Sequence, residues 1–235
     1  MLMEAHPCIK RKQFADVAAG WITKESPGWS TSTINRRLAS FNAFARWAGV
    51  PDLLGYRRPQ RSEDVTRMRC TVTDVQRVLR STREFAPYAL GMLCGLAGLR
   101  IGEAVGTTWE QIDPSDSDQT MAFVAVHGKG SKERVVPILR SHVDSAARLW
   151  TGEQAGRLFD LDVDQGRYIV RKTFKEHGLE VESHDLRRAF AKAAYDVNHD
   201  IRAVQKLLGH SDVTTTMRYI GSPMEERVAI VKGIA

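Results

Sequence analysis

The 235-residue chain reads as a mainly α protein with one small antiparallel β-sheet. Three observations predict this. Apolar residues recur at three- and four-residue spacing over most of the chain. Strand-like apolar runs are confined to 121–126 (MAFVAV) and 134–139 (RVVPIL). Those two runs are joined by residues 127–133 (HGKGSKE), a glycine-containing turn of hairpin length.

Composition narrows the class further. Hydrophobic residues are 43% and charged residues 26%, which excludes a wholly disordered chain. No apolar run reaches the ~18 residues a spanning helix needs. Met1 to Lys12 lacks the apolar core of a secretory signal. Cys8, Cys70 and Cys94 are odd in number and far apart, against both a disulfide framework and a C-x-x-C metal site. A cytoplasmic protein with no membrane partner is expected. The net charge of +6 is unevenly spread: residues 1–69 hold 12 Lys+Arg against 6 Asp+Glu, and residues 70–235 hold 22 against 22. A basic first third fits a polyanion such as nucleic acid, with simple solubility as the alternative.

Three parts follow in order. Residues 1–61 read as a short helical region. Phe14, Val17, Ala18 and Trp21 share a face of a helix over 11–24, which Pro27 and Gly28 end. Ile34, Leu38, Phe41, Ala45 and Trp47 or Ala48 form a stripe over 31–48, with Ser30 or Ser32 as cap. Arg36, Arg37 and Arg46 fall on the opposite face. Residues 49–70 carry two prolines and no periodicity; Arg57, Arg58 and Arg61 cluster there, and 62–70 is taken as the linker. The third part, 71–235, opens with a helix capped by Thr73 or Asp74 and running to about Thr82. A second helix, with Pro87 in its first turn, runs to about Leu99 and buries Leu90, Leu93, Cys94 and Leu96. Trp109 to Ile112 is a candidate third strand. Helices are expected at 141–150, 164–177, 184–197, 201–208, 212–219 and 223–231.

Four local patterns could carry chemistry. In Gly98-Leu99-Arg100-Ile101-Gly102-Glu103, helical spacing pairs Arg100 with Glu103, as a guanidinium aimed at an anion or as an ordinary ion pair. Lys129 sits at the tip of the Gly-flanked hairpin, free to reach into a groove or simply solvated. In Ser183-His184-Asp185-Leu186-Arg187-Arg188, a Ser183 cap would put His184 and Arg187 on one face beside a positive helix end. In Leu207-Leu208-Gly209-His210-Ser211, Gly209 ends a helix and leaves His210 in the turn, nine residues before Tyr219. Each pattern alone is compatible with plain structure.

In this order, with these neighbours, they resemble the tyrosine recombinase (phage integrase) family over about Thr71 to Ser222. The resemblance implies a DNA breaking-rejoining catalytic domain at 71–235, preceded by a shortened counterpart of the family's helical core-binding domain. It implies that Arg100 and Arg187 grip the scissile phosphate and that Lys129 protonates the leaving 5′ oxygen. His184 and His210 would bond phosphate oxygens, Tyr219 would be the nucleophile, and Glu103 would support the first arginine. Arg36, Arg37, Arg46, Arg57, Arg58, Arg61, Lys132 and Arg134 would be DNA contacts. No metal and no cofactor are expected. The implied partners are double-stranded DNA, further copies of the chain in a tetramer on DNA, and accessory DNA-bending factors. The alternatives are a type IB topoisomerase-like relaxing enzyme and a catalytically weak DNA-binding remnant.

Overall fold

The computed structural model describes residues 14–29, 31–48, 68–114, 120–127 and 133–220. The chain divides into two compact units, 1–64 and 65–235. No described helix is long and apolar enough to cross a membrane.

In the first unit, α1 (Phe14–Glu25) and α2 (Thr31–Trp47) are joined through a 3-10 turn at Ser26–Gly28. Ala18, Leu38 and Ala45 are buried. Trp21 lies 5.4 Å from Trp29 and edge-on to Phe41 at 5.7 Å, the tilted arrangement that ring quadrupoles favour. Of the two residues offered for the end of the α2 stripe, Ala48 is half-buried and Trp47 is 82% exposed. The Arg37 guanidinium lies 4.1 Å over the Trp29 ring and 5.5 Å over Trp21, a cation–π arrangement, and so does not project from an outer basic face. Arg36 and Arg46 are exposed as expected. Arg57, Arg58 and Arg61 lie outside the described residues.

The second unit is helical with one three-stranded sheet. Helix α3 (Val72–Ser81) starts earlier than the sequence suggested. Thr71 caps it, accepting from the Asp74 N–H at 3.1 Å, and Asp74 returns a bond to the Thr71 N–H at 2.9 Å. Helix α4 (Phe85–Gly95) is buried from Tyr88 to Gly95 and forms the axis of the core. Each fully buried leucine there, such as Leu90 or Leu93, contributes roughly 2 kcal/mol of hydrophobic stabilisation. A short α5 (Ile101–Val105) follows.

Trp109–Gln111 is a 3-10 turn, not the start of a strand; only Ile112–Asp113 pairs, as β1. The sheet runs β1–β2–β3, all antiparallel, with β2 at Met121–His127 and β3 at Glu133–Leu139. Val124 faces Val136 and His127 faces Glu133, so the hairpin register is continuous to the turn. Ala122, Val124, Val126, Val136 and Ile138 alternate onto the buried face.

Helices α6 (Arg140–Leu149), α7 (Val163–Glu176), α8 (Ser183–Asn198), α9 (Ile201–Leu208) and α10 (Val213–Ile220) complete the unit. The expected helix at 223–231 lies outside the described residues. Helix α8 begins one residue early. Its cap is Glu182, whose N–H donates to the Asp185 carboxylate, and Ser183 is the buried first residue. That carboxylate, 3.8 Å from Arg69, offsets the positive end of the helix that was expected to await an anion.

Candidate active site

The ends of α5, α8 and α9, the strand ends of the β2–β3 hairpin, the start of α7 and Thr215 of α10 line a cleft of about 990 Å³. Arg100, Glu103, Arg134, His184, Arg187 and His210 all line it, although up to 110 residues of chain separate them. Two glycine turns explain why they meet. Gly98 has φ +65, and a Cβ there would fall 2.4 Å from the Phe190 ring. Only glycine fits, and the turn aims the Gly98 carbonyl at Arg187 Nη1, 2.6 Å away. Gly209, φ +65, closes α9 in the left-handed conformation. It turns the Leu208 carbonyl toward Arg187 Nη2 at 2.7 Å and the Leu207 carbonyl toward Arg134 Nε at 3.0 Å. The Leu-Leu-Gly-His motif is therefore a pair of arginine acceptors followed by a histidine.

Arg187 is the enclosed arginine of the site, 1% exposed. Its Nη2 also donates to His210 Nε2 at 3.0 Å. A guanidinium has no acceptor, so His210 Nε2 accepts and Nδ1 carries the proton, donating to Thr216 Oγ1 at 2.9 Å. Burial, with the charges of Arg187, Arg100 and Arg134 around it, depresses the His210 pKa to about 4, so the ring is neutral at pH 7. His184 stands at the exposed rim. Partial desolvation against the cleft wall, then the charges of Arg187 and Arg188, also lowers its pKa.

Arg100 is the open arginine. It caps α5, its backbone N–H and Nη1 bond the Glu103 carboxylate at 2.8 and 3.0 Å, and its side chain is 47% exposed. Glu103 has a wider role than support of Arg100. Arg134 grips the same carboxylate with both Nη atoms, at 3.0 and 2.8 Å, and Arg187 Nη1 lies 3.6 Å from Oε2. Burial alone would raise the Glu103 pKa. The Arg134 bonds, the Arg100 N–H and the charges of Arg134 and Arg187 outweigh it and hold the carboxyl at about 2. Arg134, expected as a DNA contact, lines the cleft with its guanidinium turned inward, where Glu103 and the Leu207 carbonyl take three of its donors.

Lys129 and Lys132 lie outside the described residues; the strands leading to them end at His127 and Glu133, which both line the cleft. Tyr219 lies on α10, three residues after Thr216 and four after Thr215, which also lines the cleft. Sequence reasoning missed Thr216, Gln205, Lys206 and Arg167. Gln205 Nε2 donates to the His210 carbonyl at 3.0 Å and steadies the turn, while Lys206 and Arg167 add positive charge to the wall. Nothing local marked Thr216 or Gln205, because each acts through His210 in the turn between two helices.

Fold and cleft together define a helical domain that presents arginines and histidines, held by the carbonyls of glycine turns, to one enclosed space. Residues 69–226 match the phage integrase family, and the chain belongs to that family of tyrosine recombinases. It is 30% identical over 207 residues to tyrosine recombinase XerA of Thermococcus kodakarensis, covering 82% of this chain and 71% of the relative. Tyrosine recombinase XerC of Xylella fastidiosa is 30% identical over 214 residues, covering 82% and 70%. Among solved structures, the XerH site-specific recombinase bound to its difH substrate superposes with a TM-score of 0.66 at 18% identity, covering 92% of this chain and 70% of that one. A lambda integrase fragment, a dimer bound to a COC′ core site, gives 0.63 at 18% identity, covering 90% and 80%. At such identities the solved structures bear on the fold.

Proposed function

We propose that this enzyme cuts and rejoins double-stranded DNA at specific sites through a 3′-phosphotyrosyl link to Tyr219, using neither metal nor ATP. The observation that carries this reading is the convergence of Arg100, Arg187, His184 and His210 on one cleft, bordered by the Lys129 hairpin and the helix that bears Tyr219.

Attack of the Tyr219 oxygen on phosphorus builds a five-coordinate state with two negative charges. The rigid donors of Arg100 and Arg187 stabilise it in place of a metal ion. A tyrosine hydroxyl of pKa near 10 must lose its proton during attack, to a phosphate oxygen or a site histidine. Lys129 gives a proton to the departing 5′ oxygen. An entering phosphate oxygen replaces His210 on Arg187. The Thr216 hydroxyl both donates and accepts, so it serves the His210 tautomer whose Nε2–H then points at the phosphate. The phosphotyrosyl ester keeps the bond energy, and attack by a second strand's 5′-hydroxyl reverses the chemistry.

In the same reading, residues 1–61 form a DNA-binding region, 62–70 a linker and 71–235 the catalytic domain. Arg36, Arg46, Arg57, Arg58, Arg61 and Lys132, joined by Arg167 and Lys206, neutralise backbone phosphates. Four copies assemble on DNA in the cytoplasm, with DNA-bending factors where the target demands them.

A nicked suicide substrate tests the chemistry. Wild type accumulates a covalent protein–DNA adduct and Tyr219→Phe accumulates none. An adduct that persists in Tyr219→Phe removes Tyr219 as nucleophile. Sequencing the trapped strand identifies the target site.

A further inference from the structure

The hairpin contributes more to the cleft than its tip. Arg134, one residue into β3, sends its side chain away from solvent and is 11% exposed. Three of its donors are committed. Nη1 and Nη2 take the two oxygens of Glu103, and Nε takes the Leu207 carbonyl at the end of α9. The fit is close as well as polar. A Cβ at Gly209 would lie 3.0 Å from both Cδ and Nη1 of Arg134, so the guanidinium passes flush against the turn that delivers His210. One planar group thus ties together β3, the α5 helix of Glu103 and Arg100, and the α9–α10 turn.

We propose that Arg134 is a positioning residue that holds the base of the Lys129 hairpin, Glu103 and the Gly209–His210 turn in one catalytic register, acting through these protein groups and not through DNA. This rests on the functional reading above. The reason for arginine is geometric. Spanning a carboxylate and a carbonyl at once needs the fork of Nε and both Nη atoms, which a lysine ammonium lacks. A phosphate contact has no such need, since lysine serves it as a point charge. Among the described residues, the charged or titratable groups that face Glu103 are Arg100 at the start of its own helix, Arg134 from β3, Arg187 from α8 and the buried Cys94 thiol from α4. Removing Arg134 leaves burial opposed by fewer partners, and the Glu103 carboxyl becomes easier to protonate.

Arg134→Lys and Arg134→Met decide the matter in the full chain. Single-turnover adduct formation on saturating suicide DNA is measured from pH 5 to 9, and DNA affinity at several salt concentrations. The expected result is a rate lowered roughly 10- to 100-fold in both variants, as for a displaced reacting group. Affinity and its salt slope stay within about threefold of wild type, and the Met variant gains a fall in rate toward acid pH. Loss of affinity with a salt slope reduced by about one, rescued by lysine, makes Arg134 a DNA contact and overturns the proposal. A wild-type rate in Arg134→Lys does the same. A carbon-13 titration of the Glu103 carboxyl gives a readout that needs no DNA: its midpoint rises in both variants if Arg134 holds it, and an unmoved midpoint refutes the claim. Should wild type form no adduct, the recombinase chemistry fails while this titration still judges Arg134. A variant that does not fold leaves the other one to decide.

Discussion

Replacing Glu103 by Gln tests the centre of the site through stability. The substitution keeps the shape and removes the charge that three guanidiniums share. The carboxyl ionises at about 2 in the folded chain against an ordinary 4.5, and the side chain is only 10% exposed. That difference corresponds to about 3 kcal/mol of folding stability at pH 7. Loss of one partner from a buried pair costs about 3–5 kcal/mol, the same order. Because the folded pKa lies below the unfolded one, the contribution is complete above pH 4.5 and disappears as pH falls toward 2. Urea unfolding of wild type and Glu103→Gln, followed by circular dichroism at pH 7 and near pH 2.5, reads it. The expected gap is about 3 kcal/mol at pH 7, shrinking to well under half at the acid end. A gap below ~1 kcal/mol at pH 7, or one unchanged in acid, refutes the idea that the arginines are organised by this carboxylate. The subtraction also removes effects common to both proteins, including the titration of His210.

Three further outcomes are expected. The His210 imidazole titrates near pH 4 by NMR. Its depressed pKa makes folding stability decline as pH drops from 6.5 toward 4, since the unfolded ring takes up a proton there first. Thr216→Val removes the hydroxyl that bonds His210 Nδ1; it lowers adduct formation roughly 10- to 100-fold with DNA affinity unchanged, and Thr216→Ser restores most of the rate. Gly98→Ala puts a Cβ into the Phe190 ring at a positive φ; it lowers the thermal midpoint by an amount equal to at least 1–3 kcal/mol.

Much of the fold was legible because periodicity is local. The hairpin, α9 and the long runs of α7 and α8 fell within a residue or two of their expected bounds, since their apolar patterns and caps lie within the segments themselves. The errors were at places where tertiary contacts override local signals. Trp109 looked like strand and became a 3-10 turn packed against Phe85 and Trp150. Arg37, with the charge of a surface residue, lies over two indole rings, and the spacing alone left open which of Trp47 and Ala48 ends the α2 stripe, a choice the structure makes for Ala48.

The division is sharpest at the cleft. Residue types and their order along the chain were enough to nominate Arg100, His184, Arg187 and His210 through their resemblance to the tyrosine recombinase family, and the glycines that shape their turns stand beside them in the sequence. The fate of Arg134 was invisible there. A guanidinium near a basic turn has the same one-dimensional signature whether it meets a DNA phosphate or a glutamate 31 residues upstream. Only folding brings Glu103, the Leu207 carbonyl and the Gly209 turn to within hydrogen-bonding and van der Waals distance of it. Short-range forces decided its partner, and their reach of a few ångströms is not written in sequence distance.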